Sequence, residues 1–362
     1  MEVEINRMNT LLEETHARIA PPSTEAYATA RARLDTLTKP LGSLGRLEDI
    51  AAQWASIRWD KFADPILKAV YVFAADHGVT VEGVSAYPRE VTHQMVLNFL
   101  AHGAAINVLA KLHNAVLQVV DVGVDADLSA IAGLVHRKVA RGTSNMFREP
   151  AMTGDNLYRA LSVGIKLADD AAVAGHNIIA IGEMGIGNTT SAAAITCALI
   201  GAQPEVATGR GPGVDTVARA HKVAIIQGAL DRHFGKLPHP DPMAILRNVG
   251  GLEIAAMTGM VLGAASHRIA VLCDGFISTA AAALAVAIAP NTRGYLIAGH
   301  ESAEPGHRLL LEHLRLVPLL SLNMRLGEGT GAVLAMPIVE SAVALYIGMA
   351  TFASAGVSEV SG

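Results

Sequence analysis

Short apolar runs alternate with longer stretches of helical period along most of the chain. Six runs, at 69–75, 116–120, 135–140, 177–181, 269–273 and 295–298, read as strands. Most lack polar alternation, as strands covered on both faces do. Between them, segments such as 91–112 and 155–174 have the length and periodicity of helices. Alternation of this kind predicts an α/β fold, with a mostly parallel sheet of about six strands in a three-layer α/β/α arrangement. The ends differ. Residues 24–38 predict a charged helix that Lys39-Pro40-Leu41-Gly42 stops, because proline disfavours helix in the residue before it. Ser43 then caps a second helix over 44–59. At the other end, residues 331–357 carry one charge, Glu340, and superficially suit a membrane span. Their Ala and Gly content, Pro337 and the lack of a flanking Lys/Arg cluster favour a buried helix pair instead, so no span is expected.

Composition narrows the function classes. Hydrophobic residues make up 51% and charged residues 17% of 362 positions, which excludes a disordered or polybasic chain. With 28 Lys+Arg against 33 Asp+Glu the net charge is −5, so nucleic acid is not an expected partner. The length admits two domains, or one large domain with an accessory piece. The two cysteines, Cys197 and Cys273, lie far apart in apolar segments. They offer neither a disulfide framework nor a zinc spacing, which fits a reducing compartment. The N-terminal stretch MEVEINRMNTLLEETHARIA is acidic and has no apolar signal region. The expected location is the cytoplasm.

In an open parallel sheet, ligands bind outside the carboxyl ends of the strands. Five predicted strand ends carry polar or acidic residues and glycine: Asp76-His77-Gly78, Asp121-Val122-Gly123, Gly182-Glu183-Met184-Gly185, Asp274-Gly275 and His300-Glu301-Ser302. Any one alone reads as an ordinary turn. Together they point to one ligand cleft. The stretch Gly185-Ile186-Gly187-Asn188-Thr189-Thr190 precedes a small-residue run, so its backbone N–H groups open a helix and favour an anion. A second glycine-rich stretch, Thr208-Gly209-Arg210-Gly211-Pro212-Gly213, is followed by Lys222. Neither matches a dinucleotide fingerprint or a P-loop. His300, His307 and His313 lack metal-ligand spacing and read as surface or cleft histidines. No G-x-S-x-G nucleophile elbow occurs. In Met324-Arg325-Leu326-Gly327-Glu328-Gly329-Thr330-Gly331, a glutamate stands between two glycines within an apolar tract. Locally it reads equally as a helix-capping acid or as a general base with a burial-raised pKa.

The motifs, taken in order, carry a resemblance. KPLGSLGRLE (39–48), ADHGV (75–79), GVSAYPREVTHQMV (83–96), DVGVDAD (121–127), RGTSNM (141–146), GEMGIGNTT (182–190), VGGLEIAAMTG (249–259), DGFISTAA (274–281), HESAEPGH (300–307) and MRLGEGTGA (324–332) span nearly the whole chain. The sequence resembles the nicotinate-nucleotide:dimethylbenzimidazole phosphoribosyltransferase family. That resemblance implies a Rossmann-like α/β/α domain with a small helical domain, assembled as a homodimer. It implies residues 1–62 and 311–362 contributing to the small domain, around a nucleotide-binding domain at 63–310. The implied reaction joins small molecules, nicotinate mononucleotide and 5,6-dimethylbenzimidazole, to give α-ribazole 5′-phosphate and nicotinate. No metal or organic cofactor is implied.

Residue by residue, the resemblance puts the catalytic base on Glu328 and a second acid of the reacting centre on Glu183. Gly185, Thr208, Gly211, Lys222, Asp274, Gly275 and Ser302 match positions that hold the phosphate and ribose. Tyr87, Gln94, Met95 and Leu326 fall at the benzimidazole pocket. The chain departs from the family at Leu41, at Gly299 and over the variable 212–221 segment. Two other classes remain: a transferase using phosphoribosyl diphosphate with Mg²⁺, and a non-catalytic nucleotide-binding module. Against the first, the paired acids of a diphosphate-sugar loop are missing after 269–273, where Asp274 is followed by Gly275.

Overall fold

The structure is a computed structural model that describes residues 2–209, 216–235, 237 and 240–358. Its centre is one sheet of six strands: β1 Lys68–Ala75, β2 Ala115–Gly123, β3 Val135–His136, β4 Ile178–Met184, β5 Ala270–Cys273 and β6 Leu296–Ala298. The order is β3-β2-β1-β4-β5-β6, and every pair is parallel. All eight residues of β1 are buried, which is why the run lacks polar alternation. The third strand is shorter than its apolar run predicts. Past His136 only single bonds continue, from the N–H of Arg137 to the Asp121 carbonyl and from that of Val139 to Val122.

Helices cover both faces. Leu252–Ser266 lies across β1, β2, β4 and β5, with Gly154–Val173 against it. These two helices approach at backbone distance. A Cβ at Gly259 would sit 2.0 Å from the Leu161 carbonyl oxygen. On the opposite face, Thr330–Gly348 lies against β4 and β5, and Ala105–Leu112 against β2. By length and composition Thr330–Gly348 is apolar enough for a membrane. Here its Ala332, Val333, Ala335, Met336 and Val339 are core residues, and Glu340 pairs with Lys68 of β1 at 2.5 Å. In place of the expected buried pair there is one long helix with a core face and a short one, Phe352–Ala355, that buries no residue.

Two helical expectations need correction. Residues 91–112 form two helices, Val91–Leu100 and Ala105–Leu112, because His102 has a φ of 61° and breaks the run. The second N-terminal helix starts at Arg46 with Gly45 as its cap, not Ser43. Glu48 reaches back to accept the Leu44 N–H at 3.1 Å and pairs with buried Lys39 at 2.8 Å, which makes a Ser43 cap unnecessary. The helix before it, Thr24–Asp35, is capped by Ser23 and is itself preceded by a helix over Glu2–Arg18. The chain ends meet where Thr38 N–H donates to Ala350 O and Phe352 N–H to Thr36 O.

Gly259→Ala forces a methyl group into the Leu161 carbonyl and separates the two helices. Overpacking of this kind costs about 1–3 kcal/mol. The expected result is a lower melting temperature by calorimetry; an unchanged one contradicts the close approach.

Candidate active site

Strand order reverses between β1 and β4, and sheets of this kind bind ligands outside the strand ends at that point. A cleft opens there. Glu183, Gly185, Asn188 and Thr189 line it after β4, Gly275 and Ser278 after β5, and His300, Ser302 and Glu304 after β6. Tyr87 and Leu326, both exposed, stand in its wall with Arg325 and Gly327. Two helices begin at the cleft, Asn188–Ile200 behind Gly187 and Phe276–Ile288 behind Gly275, neither with a side-chain cap. Asn188 and Thr190 N–H already donate to the Gly185 and Gly187 carbonyls, which leaves Thr189 in the first helix and the opening turn of the second to face an anion.

Glu328 follows the cleft residue Gly327 on an unusual turn and does not itself line the cleft. Gly327, Glu328 and Gly329 have φ values of +85°, +64° and +87°. A left-handed glutamate persists only where the surroundings over-determine it. Asp274 supplies the determination: its Oδ2 accepts the Gly329 N–H at 3.1 Å, and its Oδ1 those of Gly331 and Ala332 at 2.6 and 3.1 Å. Beneath the turn, a Cβ at Gly182 would lie 2.4 Å from the Glu328 carbonyl carbon, so only glycine fits in β4 there. Because Asp274 takes the first amides of helix Thr330–Gly348 and Gly329 is its N-cap, Glu328 is not a capping acid. Its side chain is buried, and Oε2 has no hydrogen-bond partner among the described residues. Burial pushes its pKa up to about 7, against a lowering bond from the Ile106 backbone, with the Asp274 charge adding to the rise.

Glu183 is buried at the end of β4, where Asn188 donates its side-chain amide to Oε2. Burial first, then the charges of Glu253 and Asp274, push its pKa up to about 8; the Asn188 bond opposes this. Lys222 is also buried, donating from Nζ to Thr189 Oγ1 at 2.7 Å. Burial brings it down to about 8, with the Glu304 charge working the other way.

The remaining sequence-predicted residues divide. Gly185, Gly275 and Ser302 line the cleft with Tyr87 and Leu326. Asp274 does not; burial raises its pKa, while His300 and the three backbone N–H groups oppose that. Thr208 is buried outside the cleft wall, with its carbonyl accepting from Arg219 Nε at 3.0 Å. Gly211 lies outside the described residues. Gln94, exposed, and Met95, half-buried, sit on helix Val91–Leu100 but do not line the cleft. That helix reaches the glycine loop through Thr92 Oγ1, which accepts the Ile186 N–H at 3.1 Å. The five strand ends do not all converge. Asp121 pairs with Lys138 at 2.8 Å, and Asp76 accepts the Asp125 N–H at 2.7 Å, so both serve local turns.

Sequence reasoning missed Asn188 as the partner of Glu183, and it placed His300 at a strand end of the cleft without giving it a role. The His300 ring is buried in the cleft wall, Nδ1 lies 3.6 Å from Asp274 Oδ1, and both nitrogens lack hydrogen-bond partners among the described residues. Its position directly after β6 was the available signal. His307 accepts the Ser302 N–H at 2.9 Å and contacts Thr279 Oγ1 at 3.0 Å, and burial takes it down to about 3. His313 is exposed. Among the described residues, no three His, Cys, Asp or Glu side chains gather as metal ligands.

A phosphoribosyltransferase family model matches residues 19–357. The chain belongs to this family. Two curated relatives carry the name nicotinate-nucleotide–dimethylbenzimidazole phosphoribosyltransferase. The one from Geobacter sulfurreducens is 50% identical over 351 residues, covering 97% of this chain and 99% of the relative. That from Chloroflexus aurantiacus is 50% identical over 350 residues, covering 96% and 99%. A crystal structure of the same-named enzyme from Thermus thermophilus superposes with a TM-score of 0.88 at 46% identity, covering 93% of this chain and 99% of that one. The parallel sheet with helices on both faces is therefore the phosphoribosyltransferase family's own fold.

The raised acid at Glu183 also links stability to pH. The folded protein keeps this proton as pH climbs from 4.5 to about 8, whereas the unfolded chain releases it near 4.5. The stability it confers is complete below 4.5 and lost as pH rises through about 8. Glu183→Gln removes the dependence. Its melting temperature relative to wild type should rise with pH across that window in calorimetric scans, and a constant difference contradicts the raised acid.

Proposed function

We infer that the chain transfers the phosphoribosyl group of nicotinate mononucleotide to 5,6-dimethylbenzimidazole. The products are α-ribazole 5′-phosphate and nicotinate, in the assembly of the cobalamin nucleotide loop. The observation that carries the residue assignment is Glu328: a buried carboxyl with one oxygen, Oε2, free of hydrogen bonds among the described residues, raised to about 7, beside the cleft that Glu183 lines. The near-full-length relatives of that name support the reaction.

The chemistry suits these groups. Nicotinate leaves from a pyridinium glycoside, so the breaking bond returns its electron pair to the ring nitrogen and no general acid is needed. The ribose gains oxocarbenium character, which the ionised form of Glu183 stabilises. One benzimidazole nitrogen attacks the ribose carbon from the opposite face, inverting the β-nucleotide to an α-riboside. The proton on its other nitrogen passes to Glu328, whose elevated pKa suits a base working near neutrality. The phosphate belongs with the open N-termini of helices Asn188–Ile200 and Phe276–Ile288, with Ser302 and with Lys222 behind Thr189. Gly275 keeps the second of those helix ends open, and Tyr87 and Leu326 offer apolar surface to the acceptor base. Asp274 acts through the Glu328 turn rather than on the ribose.

A diphosphate donor is disfavoured by the same carboxylate: both Asp274 oxygens are engaged by backbone N–H groups. The protein is read as a cytoplasmic homodimer, on the family resemblance and on two buried free thiols.

Two variants test the assignment. Glu328→Gln keeps the volume but removes the proton acceptor, so turnover should fall ~10²–10⁴-fold with nucleotide affinity little changed. In wild type both acids must be ionised, so kcat/KM should rise with pH through about 7 for Glu328 and again through about 8 for Glu183, and Glu328→Gln abolishes the first limb alone. Near wild-type turnover by Glu328→Gln refutes the base. Lys222→Ala should weaken nicotinate mononucleotide by about 1.5–3 kcal/mol and leave free benzimidazole binding alone. Unchanged nucleotide affinity by calorimetry refutes the phosphate site.

A further inference from the structure

The turn after β1 and the start of helix Leu252–Ser266 hold ionisable groups that the reaction does not use. His77 and Glu253 are buried side by side beneath the 185–188 loop. The Nε2 of His77 lies 2.6 Å from Glu253 Oε1, and its Nδ1 lies 3.1 Å from Ser191 Oγ. Ser191 donates its hydroxyl to the Gly250 carbonyl at 3.2 Å. The imidazole thus bridges the Glu253 carboxyl on one side and the Ser191 hydroxyl on the other. A serine, histidine and acid in a row suggest a nucleophilic triad. Burial argues otherwise, since none of the three lines the cleft.

The glycine loop rests on this row. A Cβ at Gly185 would stand 3.4 Å from His77 Cδ2 and 3.5 Å from Glu253 Oε1, and one at Gly187 3.5 Å from His77 Cβ. The loop's other side is the cleft wall, carrying Asn188 and, one turn earlier, Glu183. Ser191 lies in the first turn of the helix that Asn188 opens, so one imidazole braces both the loop and the helix start. We propose that His77, held between Glu253 and Ser191, is a positioning residue that fixes the 185–188 loop and thereby presents Asn188 and Glu183 to the nucleotide. This rests on the role given above to Glu183.

The same geometry gives Glu253 an electrostatic reach. Facing Glu183 are Glu253 from its helix, Asp274 from the end of β5, Glu328 from its turn, and the neutral Asn188. His77 faces Glu253 from the end of β1, and His300 faces Asp274 from the end of β6. Removing the Glu253 charge while keeping a hydrogen-bonding side chain therefore relieves one like charge at Glu183.

The test uses the full chain with His77→Ala, His77→Gln, Ser191→Ala, Glu253→Gln and Glu183→Gln. Nicotinate mononucleotide binding is measured by calorimetry and nicotinate release is followed across pH. Displacement of the loop by about an ångström should lower His77→Ala turnover ~10²-fold. Its nucleotide affinity should fall about tenfold, and His77→Gln, which keeps a polar nitrogen toward Glu253, should restore most of both. Glu253→Gln should move the ionisation assigned to Glu183 to lower pH. If His77→Ala and Ser191→Ala melt earlier yet keep wild-type turnover, affinity and pH profile, the row is merely structural and the proposal is overturned. If His77→Ala does not fold, Ser191→Ala decides, with about a tenfold loss of turnover supporting the proposal and no loss overturning it. Wild-type turnover by Glu183→Gln would instead remove Glu183 from the reaction. Nucleotide affinity of the His77 and Ser191 variants then decides, its loss upholding the loop's positioning and its retention overturning it.

Discussion

Both carboxylate oxygens of Asp274 are occupied by backbone N–H groups of residues 329, 331 and 332, and the reacting geometry hangs on that clamp. A buried carboxylate is costly unless its lone pairs are matched. Three amides at a helix start, with His300 close by, offset the cost here. The return is a turn with three successive left-handed residues, pressed onto Gly182. Helix Thr330–Gly348 is capped by an acid from the end of β5 rather than by its own preceding side chain. Glu328 is thereby relieved of capping its own helix, and its one backbone bond is from Ile106 in the first turn of Ala105–Leu112.

That arrangement crowds acids. Glu183 and Glu328 both sit above their ordinary range, burial being the first cause for each and neighbouring carboxylates adding to it. A protein selected only for stability would not gather Glu183, Glu253, Asp274 and Glu328 about one cleft. Two relieving features are built in: the Asn188 amide on Glu183 and the imidazole of His77 on Glu253. Neither neutralises the cluster. The remaining demand is for positive charge in the cleft itself.

How much of this is legible in the sequence depends on the distance over which each residue acts. Strands β1, β5 and β6 are readable because burial of every residue writes itself into an unbroken apolar run, whereas β3, with neither residue buried, falls short of its predicted run. Residues 91–112 read as one helix because the break needs only a left-handed histidine, His102, with no proline to announce it. Ser43 looks like a cap, but Glu48 and Lys39 satisfy that corner from inside the fold. Glu328 cannot be assigned locally, since the choice between cap and base turns on Asp274, which lies far away in sequence and close in space. Asp76 and Asp121 share the acid-then-glycine pattern of the cleft residues but answer to Arg89, Asp125 and Lys138. Family resemblance supplies what locality cannot, though it does not reveal that Asp274 is turned onto the backbone.

On the proposed reading, the donor's own charges complete the electrostatics. Nicotinate mononucleotide carries a pyridinium cation at one end and a phosphate at the other. The open helix starts and Lys222 suit the phosphate, and the acid cluster suits the pyridinium and the oxocarbenium ion that replaces it. A cation beside Glu183 favours its ionised form, so donor binding and proton release from that carboxyl are coupled. Once the pyridinium leaves as nicotinate, its ring nitrogen now neutral, the positive charge passes to the ribose and then to the attacking benzimidazole. Each of these cations is met by a carboxylate already in place, so the protein need not reorganise as the charge moves. The last positive charge is the benzimidazolium proton, and Glu328, with Oε2 unpartnered among the described residues, is the group able to remove it.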